Sequence, residues 1–174
     1  VVTLSGLPGT GKTTVAQLLH KKLAVRYVYS GEIFRSLAQK HGMSLEQFGL
    51  YCEQHPEVDR ELDEYQVQVL KQGDVLLEGR IAGWLAVRNH IPAFKVLLTA
   101  DFDTRVARIV KRESGEHARR RQEIEARERS EAARYKKFYG IDVSDTSIYD
   151  VIVDTSSLSP EEIADRILAS IPKR

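Results

Sequence analysis

The sequence predicts an α/β fold: a five-stranded parallel sheet flanked by helices, with two helical segments interrupting the alternation. Short β-branched or apolar runs recur at Val1–Ser5, Arg26–Ser30, Val75–Glu78, Phe94–Thr99 and Val151–Asp154, with helical spacing between them. Strands that alternate with helices pair in parallel through crossovers. The centres Val75-Leu76-Leu77 and Val96-Leu97-Leu98 are apolar throughout, as strands covered on both faces require. The third observation is a glycine-rich loop between the first strand and the first helix.

That loop reads Gly6-Leu7-Pro8-Gly9-Thr10-Gly11-Lys12-Thr13-Thr14 and completes the frame G-x-x-x-x-G-K-[ST]. A strand precedes it, and Thr14–Leu23 follows with helical spacing. Backbone N–H groups in such a loop form an anion nest at a helix N-terminus. Its glycines keep Cβ atoms away from the bound phosphates. Lys12 is placed to reach the β and γ phosphates of a nucleoside triphosphate, and the Thr13 hydroxyl to meet Mg²⁺.

After the second strand, residues 31–72 look helical throughout. Ser30 is expected to cap the first of these helices. Asp103–Arg112 reads as a helix after the fourth strand, and residues 113–140 are dense in Arg and Glu. Ser159-Pro160-Glu161-Glu162 is a helix start, with Ser159 as N-cap, Pro160 at the first position and Glu162 closing a capping box. The final helix runs to about Ser170, with Ile163, Ile167 and Leu168 on one face.

The 174 residues suit one domain with a sizeable core. A net charge of +1 argues against an electrostatic nucleic-acid binder. The charge is uneven, however: residues 105–137 carry twelve Lys/Arg against six Asp/Glu. A basic segment inside a neutral chain suggests a local anionic ligand. Interleaved acids and few aromatics argue against RNA. Cys52 is the only cysteine, so no internal disulfide forms and a reducing, cytoplasmic location is expected. No apolar run approaches a membrane span, and the chain opens directly into a strand rather than a signal peptide.

Ligands of open α/β sheets bind beyond the carboxyl ends of the strands. Both helical insertions are therefore placed to cover the loop. Glu78 ends a buried strand beside it and could hold the water shell of Mg²⁺. Arg80 follows at the same strand end and points into the cleft. Arg35, in the second turn of its helix, could offer a bidentate fork to an acceptor phosphate. Asp59, Asp63 and Gln66 lie at helical spacing and could hydrogen-bond an acceptor base, since a carboxylate accepts from the N4 amino group of cytosine. The second insertion holds Arg119, Arg120, Arg121, Arg127, Arg129, Arg134 and Tyr135. Most of its charges are solvated and laced with Glu123, Glu125, Glu128 and Glu131. A few should stabilise the transferring phosphoryl group. Arg127 and Arg134 share a helix face with Glu131, and Arg129 lies on another. The five histidines show no ligand spacing and are expected at the surface. Cys52 and Trp84 read as packing residues, and nothing resembles a zinc site.

At this point the chain resembles the nucleoside monophosphate kinases, and among them the short archaeal-type cytidylate kinases. The matching segments are GLPGTGKTTVA at 6–16, YSGEIFRSLAQKHGMSLEQFG at 29–49, HPEVDRELDEYQ at 55–66, GDVLLEGRIAGWLA at 73–86 and RERSEAARYKKFYGIDVSDTSIYD at 127–150. They cover most of the chain in order. The resemblance implies a P-loop NTPase core (1–30, 73–112, 141–174), an acceptor-binding insertion (31–72) and a lid (113–140). It implies a monomer that transfers the γ-phosphoryl group of ATP to CMP or dCMP with Mg²⁺. It assigns Gly6 to Thr14 to ATP, and Ser30, Arg35 and Arg80 to the acceptor. Lys12, Arg127, Arg129 and Arg134 become the catalytic cations. Ile81 stands where the larger bacterial-type enzymes have Asp, so their base-reading residues do not transfer. Two other readings stay open: a P-loop kinase for another acceptor (AMP, UMP or a small metabolite), and a non-enzymatic P-loop switch. The switch lacks a guanine-reading Asn-Lys-x-Asp motif.

Overall fold

The computed structural model describes residues 1–172, apart from the side chains of residues 46 and 113. The chain runs β1 (Val2–Gly6), α1 (Lys12–Leu23), β2 (Arg26–Tyr29), α2 (Ser30–Lys40), α3 (Leu45–Gln54), α4 (Pro56–Gln72) and β3 (Val75–Glu78). It continues through α5 (Ala82–Arg88), β4 (Phe94–Thr99), α6 (Phe102–Glu113), α7 (His117–Tyr139), β5 (Val151–Asp154) and α8 (Pro160–Ser170). All five expected strands are present. The strands pair in parallel in the order β2-β3-β1-β4-β5.

This order places the site. From β1 the chain crosses to the sheet edge at β2, returns to β3, then crosses β1 to reach β4. The direction of winding therefore reverses beside β1, which opens a crevice at the carboxyl ends of the strands. Leu4 pairs with Glu78, and the Gly79 N–H donates to the Leu4 carbonyl at 3.1 Å. The loop after Gly6 and the Glu78-Gly79-Arg80 turn are thus neighbours in the crevice.

Alternation along the strands covers the sheet on both faces. Val2, Leu4, Leu76, Val96 and Leu98 pack with Val15, Ala16 and Leu19 of α1 and Ile163 and Ile167 of α8. Val75 and Leu77 face the other way, toward Val67 and Leu70 of α4 and Leu85 of α5. On that second face β1 offers the small buried residues Thr3 and Ser5. The Ser5 hydroxyl accepts from the Gly83 N–H at 3.1 Å, so α5 lies close against the sheet.

Local signals hold at several helix ends. Ser159 and Glu162 form the expected capping box, and Ser44 and Gln47 form a second one at α3. Ser30 differs. It is the first residue of α2, the N-cap is Tyr29, and no side chain caps that end. The strand ends one residue earlier than its apolar pattern, and Ser30 turns toward the cleft instead. The first helix also starts earlier than its apolar run, at Lys12, because the loop itself supplies its first turn.

Helix α7 is held differently from the rest. Among its described residues only Ile124 is buried, packing with Val106 and Ile109 of α6. A helix polar on all sides needs other anchors. Here they are ion pairs: Arg121 with Asp103, Glu128 with Arg105, Glu131 with Arg80, and Arg134 with Asp59. The segment's excess of positive charge therefore does not describe its inner face, where glutamates meet core arginines.

Candidate active site

The loop is shaped by its glycines in two ways. Gly9 has φ +83°, and a Cβ there would come within 2.7 Å of the Arg105 carbonyl oxygen, so α6 packs directly on it. Gly11 has open space around it but φ +86°, which it needs as the left-handed N-cap of α1. No side chain caps α1. Its first N–H groups are left for an anion, as a phosphate-binding helix end requires.

Lys12 folds back over this loop. Its Nζ donates to the Gly6 carbonyl at 2.6 Å and the Leu7 carbonyl at 3.2 Å. Burial pushes its pKa down to about 8, and the neighbouring Arg80 cation adds to the effect. Thr10 is buried, with its hydroxyl on the Leu7 carbonyl at 2.9 Å. Leu7, Pro8, Thr13 and Thr14 keep solvent access. The Thr13 hydroxyl donates to Glu78 Oε1 at 3.1 Å, and the Tyr27 hydroxyl donates to Oε2 at 2.8 Å. Both oxygens of this buried carboxylate are thus oriented. Burial beside Glu78 pushes the Tyr27 phenol well above its ordinary range.

Sequence reasoning passed over the residues that brace the loop from behind. Arg105 donates to the Pro8 carbonyl at 3.4 Å and pairs with Glu128. Arg108 donates to the Gly9 carbonyl at 3.1 Å and to the Thr155 carbonyl at 2.7 Å. The Thr155 hydroxyl donates to the Thr10 carbonyl at 2.9 Å. Arg105 and Arg108 sit three apart on a helix that follows a strand, and that placement was the available signal.

Beside the loop lies a cavity of about 1080 Å³ between α2, α3 and α4 on one side and α7 on the other. Ser30, Asp59, Asp63, Arg80, Arg127 and Arg134 all reach its lining. Arg80 is mostly buried and pairs with Glu131. Arg134 lies 3.5 Å from Asp59, and its Nε is buried without a partner. Burial pushes the Asp59 carboxyl up, with Arg134 opposing. Asp63 rises to about 6, chiefly through burial. Two expected site residues stand apart. Arg35 is exposed, donates to the Tyr29 hydroxyl at 3.2 Å and does not line the cavity. Arg129 is three-quarters exposed, pairs with Glu125 and does not line it either. Its different helix face is the solvent face. Cys52 and Trp84 pack as expected.

A strand, anion loop and helix therefore meet an arginine-lined cavity closed on one side by a charged helix. Residues 1–157 match the model of the cytidylate kinase-like family. The chain is 42% identical to a cytidylate kinase of Methanocaldococcus jannaschii, over 98% of this chain and 97% of that one. It is 44% identical to a cytidylate kinase of Pyrococcus abyssi, over 98% of this chain and 93% of that one. Among solved structures, shikimate kinase from Bacteroides thetaiotaomicron superposes with a TM-score of 0.63 at 17% identity, covering 97% of this chain and 95% of that one. At that identity the likeness concerns the fold alone.

Proposed function

Because the chain belongs to the cytidylate kinase-like family, we propose that it transfers the γ-phosphoryl group of ATP to CMP and dCMP, giving ADP and CDP or dCDP. The observation that carries this is the near full-length identity to archaeal cytidylate kinases. These relatives do not favour another acceptor or a non-enzymatic switch.

The acceptor phosphate oxygen attacks the γ-phosphorus and ADP leaves. Catalysis of this kind is mainly positioning and charge stabilisation. Lys12 exchanges its two loop carbonyls for phosphate oxygens. Arg80 exchanges Glu131 for the acceptor phosphate, and Arg127 faces the same cavity from α7. Thr13 and Glu78 fit Mg²⁺: they place a hydroxyl and a carboxylate side by side, the hard oxygens that would hold it. When bound, the ion neutralises charge on the β and γ phosphates. Tyr27 holds Glu78 in place for it. Among the described residues no helix is long and apolar enough to cross a membrane.

A coupled ATP-consumption assay across CMP, dCMP, UMP, AMP, GMP and shikimate tests the acceptor. CMP and dCMP are expected to give the highest kcat/KM. Faster turnover of AMP or shikimate would overturn the substrate while sparing the reaction class.

The Lys12 ammonium carries a second expectation. In the free protein it loses its proton near pH 8. Bound phosphates favour the charged form and hold the proton on. ATP affinity should therefore weaken as pH rises through about 8, and ATP binding just above that pH should take up a proton. Calorimetry in buffers of different ionisation enthalpy measures that uptake. No uptake near pH 8.5 would contradict a phosphate contact for Lys12.

A further inference from the structure

Each carbonyl of the phosphate loop from Gly6 to Thr10 has a side-chain partner. Lys12 Nζ takes those of Gly6 and Leu7. Arg105 donates to Pro8 at 3.4 Å, Arg108 to Gly9 at 3.1 Å and the Thr155 hydroxyl to Thr10 at 2.9 Å. These last three donors come from α6 and from the residue after β5, behind the loop. The peptides of the loop are trans. A planar trans peptide points its N–H opposite to its carbonyl. Holding the Pro8, Gly9 and Thr10 carbonyls backward therefore aims the N–H groups of Gly9, Thr10 and Gly11 forward, where a nest receives an anion.

One of these braces is itself held from α7. Arg105 is buried, and its Nε donates to the Ala100 carbonyl at 3.3 Å. Both of its terminal nitrogens donate to the Glu128 carboxylate, the second at 3.4 Å. A bidentate carboxylate fixes the plane of a guanidinium, and a buried guanidinium needs that counter-charge. Glu128 does not line the acceptor cavity. It shares a small cavity with Gly6 and Leu7 of the loop instead.

We infer that Glu128 is a positioning residue for the donor phosphates: from α7 it fixes Arg105, Arg105 holds the Pro8 carbonyl, and the Gly9 N–H is thereby aimed at phosphate. The inference rests on ATP binding in the loop. It gives a residue of the second helical insertion a role on the donor side. Arg127 and Glu131, in the same turn of α7, reach the acceptor side.

The sign of one substitution separates positioning from charge alone. Glu128→Gln removes a negative charge beside the phosphate site. Charge alone would then tighten ATP, because like charges repel. Positioning gives the opposite result. The amide keeps one acceptor and sets an NH₂ group against the guanidinium donors. Arg105 then loses its two-pronged hold, and the Pro8 carbonyl is free to turn.

ATP affinity is measured by calorimetry, and KM for ATP and CMP by a coupled assay. The proteins are the wild type, Glu128→Gln, Arg105→Met, the double variant and Arg121→Met, each checked by thermal unfolding. Glu128→Gln should weaken ATP about fivefold or more and leave KM for CMP within about twofold. Arg105→Met should weaken ATP to a similar degree. In the double variant the glutamine should add less than about twofold, since Glu128 acts through Arg105. Arg121→Met reads the purely structural contribution. Arg121 pairs with Asp103 across the same two helices, and its guanidinium lies 4.7 Å from the Phe102 ring that Arg105 also approaches. Its loss should leave ATP affinity within about twofold. Unchanged or tighter ATP binding by Glu128→Gln, an equal loss in Arg121→Met, or additive losses in the double variant overturns the positioning role. Should Arg105→Met fail to fold, Glu128→Gln and Arg121→Met decide alone. A wild type that binds no ATP defeats the donor reading itself, whereas normal wild-type binding with an unmoved Glu128→Gln defeats only the positioning role.

Discussion

Lys12→Ala lowers kcat by about a hundredfold or more in a protein that remains folded. The side chain is buried over the loop, and its ammonium rests on the Gly6 and Leu7 carbonyls. Removing it takes away charge stabilisation that develops with the transferring phosphoryl group, and no neighbouring cation replaces it in the same place. Arg105 and Arg108 are committed to backbone carbonyls and to Glu128. Stability should change little. Alanine is a good residue for the first turn of a helix, and the Gly6 and Leu7 carbonyls can take water in place of Nζ. Thermal unfolding measured alongside single-turnover rates separates the two effects. A rate within a few fold of wild type, in a variant with normal melting, would remove the loop lysine from the mechanism.

Arg80→Ala weakens the acceptor and spares ATP. Losing a charge-assisted, bidentate phosphate contact costs about 1.5–3 kcal/mol, or roughly tenfold to a hundredfold in CMP affinity. The structure adds a second consequence. Arg80 and Glu131 are both mostly buried and paired. Deleting the arginine alone leaves the Glu131 carboxylate uncompensated, which destabilises the attachment of α7. The double variant Arg80→Ala with Glu131→Gln should therefore recover the melting temperature without recovering CMP binding. Separate titrations of ATP and CMP decide the functional half. A large loss of ATP affinity with normal CMP binding contradicts the assignment of Arg80.

Helix α7 shows where sequence reasoning stops. Its glutamates read as solvated partners for neighbouring arginines, and Arg119 and Arg120 do pair with Glu123 in that way. Glu128 and Glu131 look no different in the sequence, yet they turn inward to Arg105 and Arg80. Arg129 and Arg134 sit in the same arginine-rich segment. One faces solvent and the other reaches Asp59. Arg35 had the right helix and turn but lies at the surface on Tyr29. Periodicity places a residue on a helix face. It does not say which face meets a neighbour when the helix has almost no apolar stripe to orient it.

By itself the sequence determined the five strands, their parallel pairing, the capping box of the last helix and the whole phosphate loop. These are set within a few consecutive residues: β-branched runs, a Ser-Pro-Glu-Glu start, and glycines between a strand and a helix. Only the tertiary structure decided the strand order, the bracing of the loop by Arg105, Arg108 and Thr155, and the buried partners of α7. The Arg105 contact with Pro8 joins residues 97 positions apart. Such pairs form because the sheet brings strand ends together and burial then leaves each charge needing a partner, a requirement that no local pattern records.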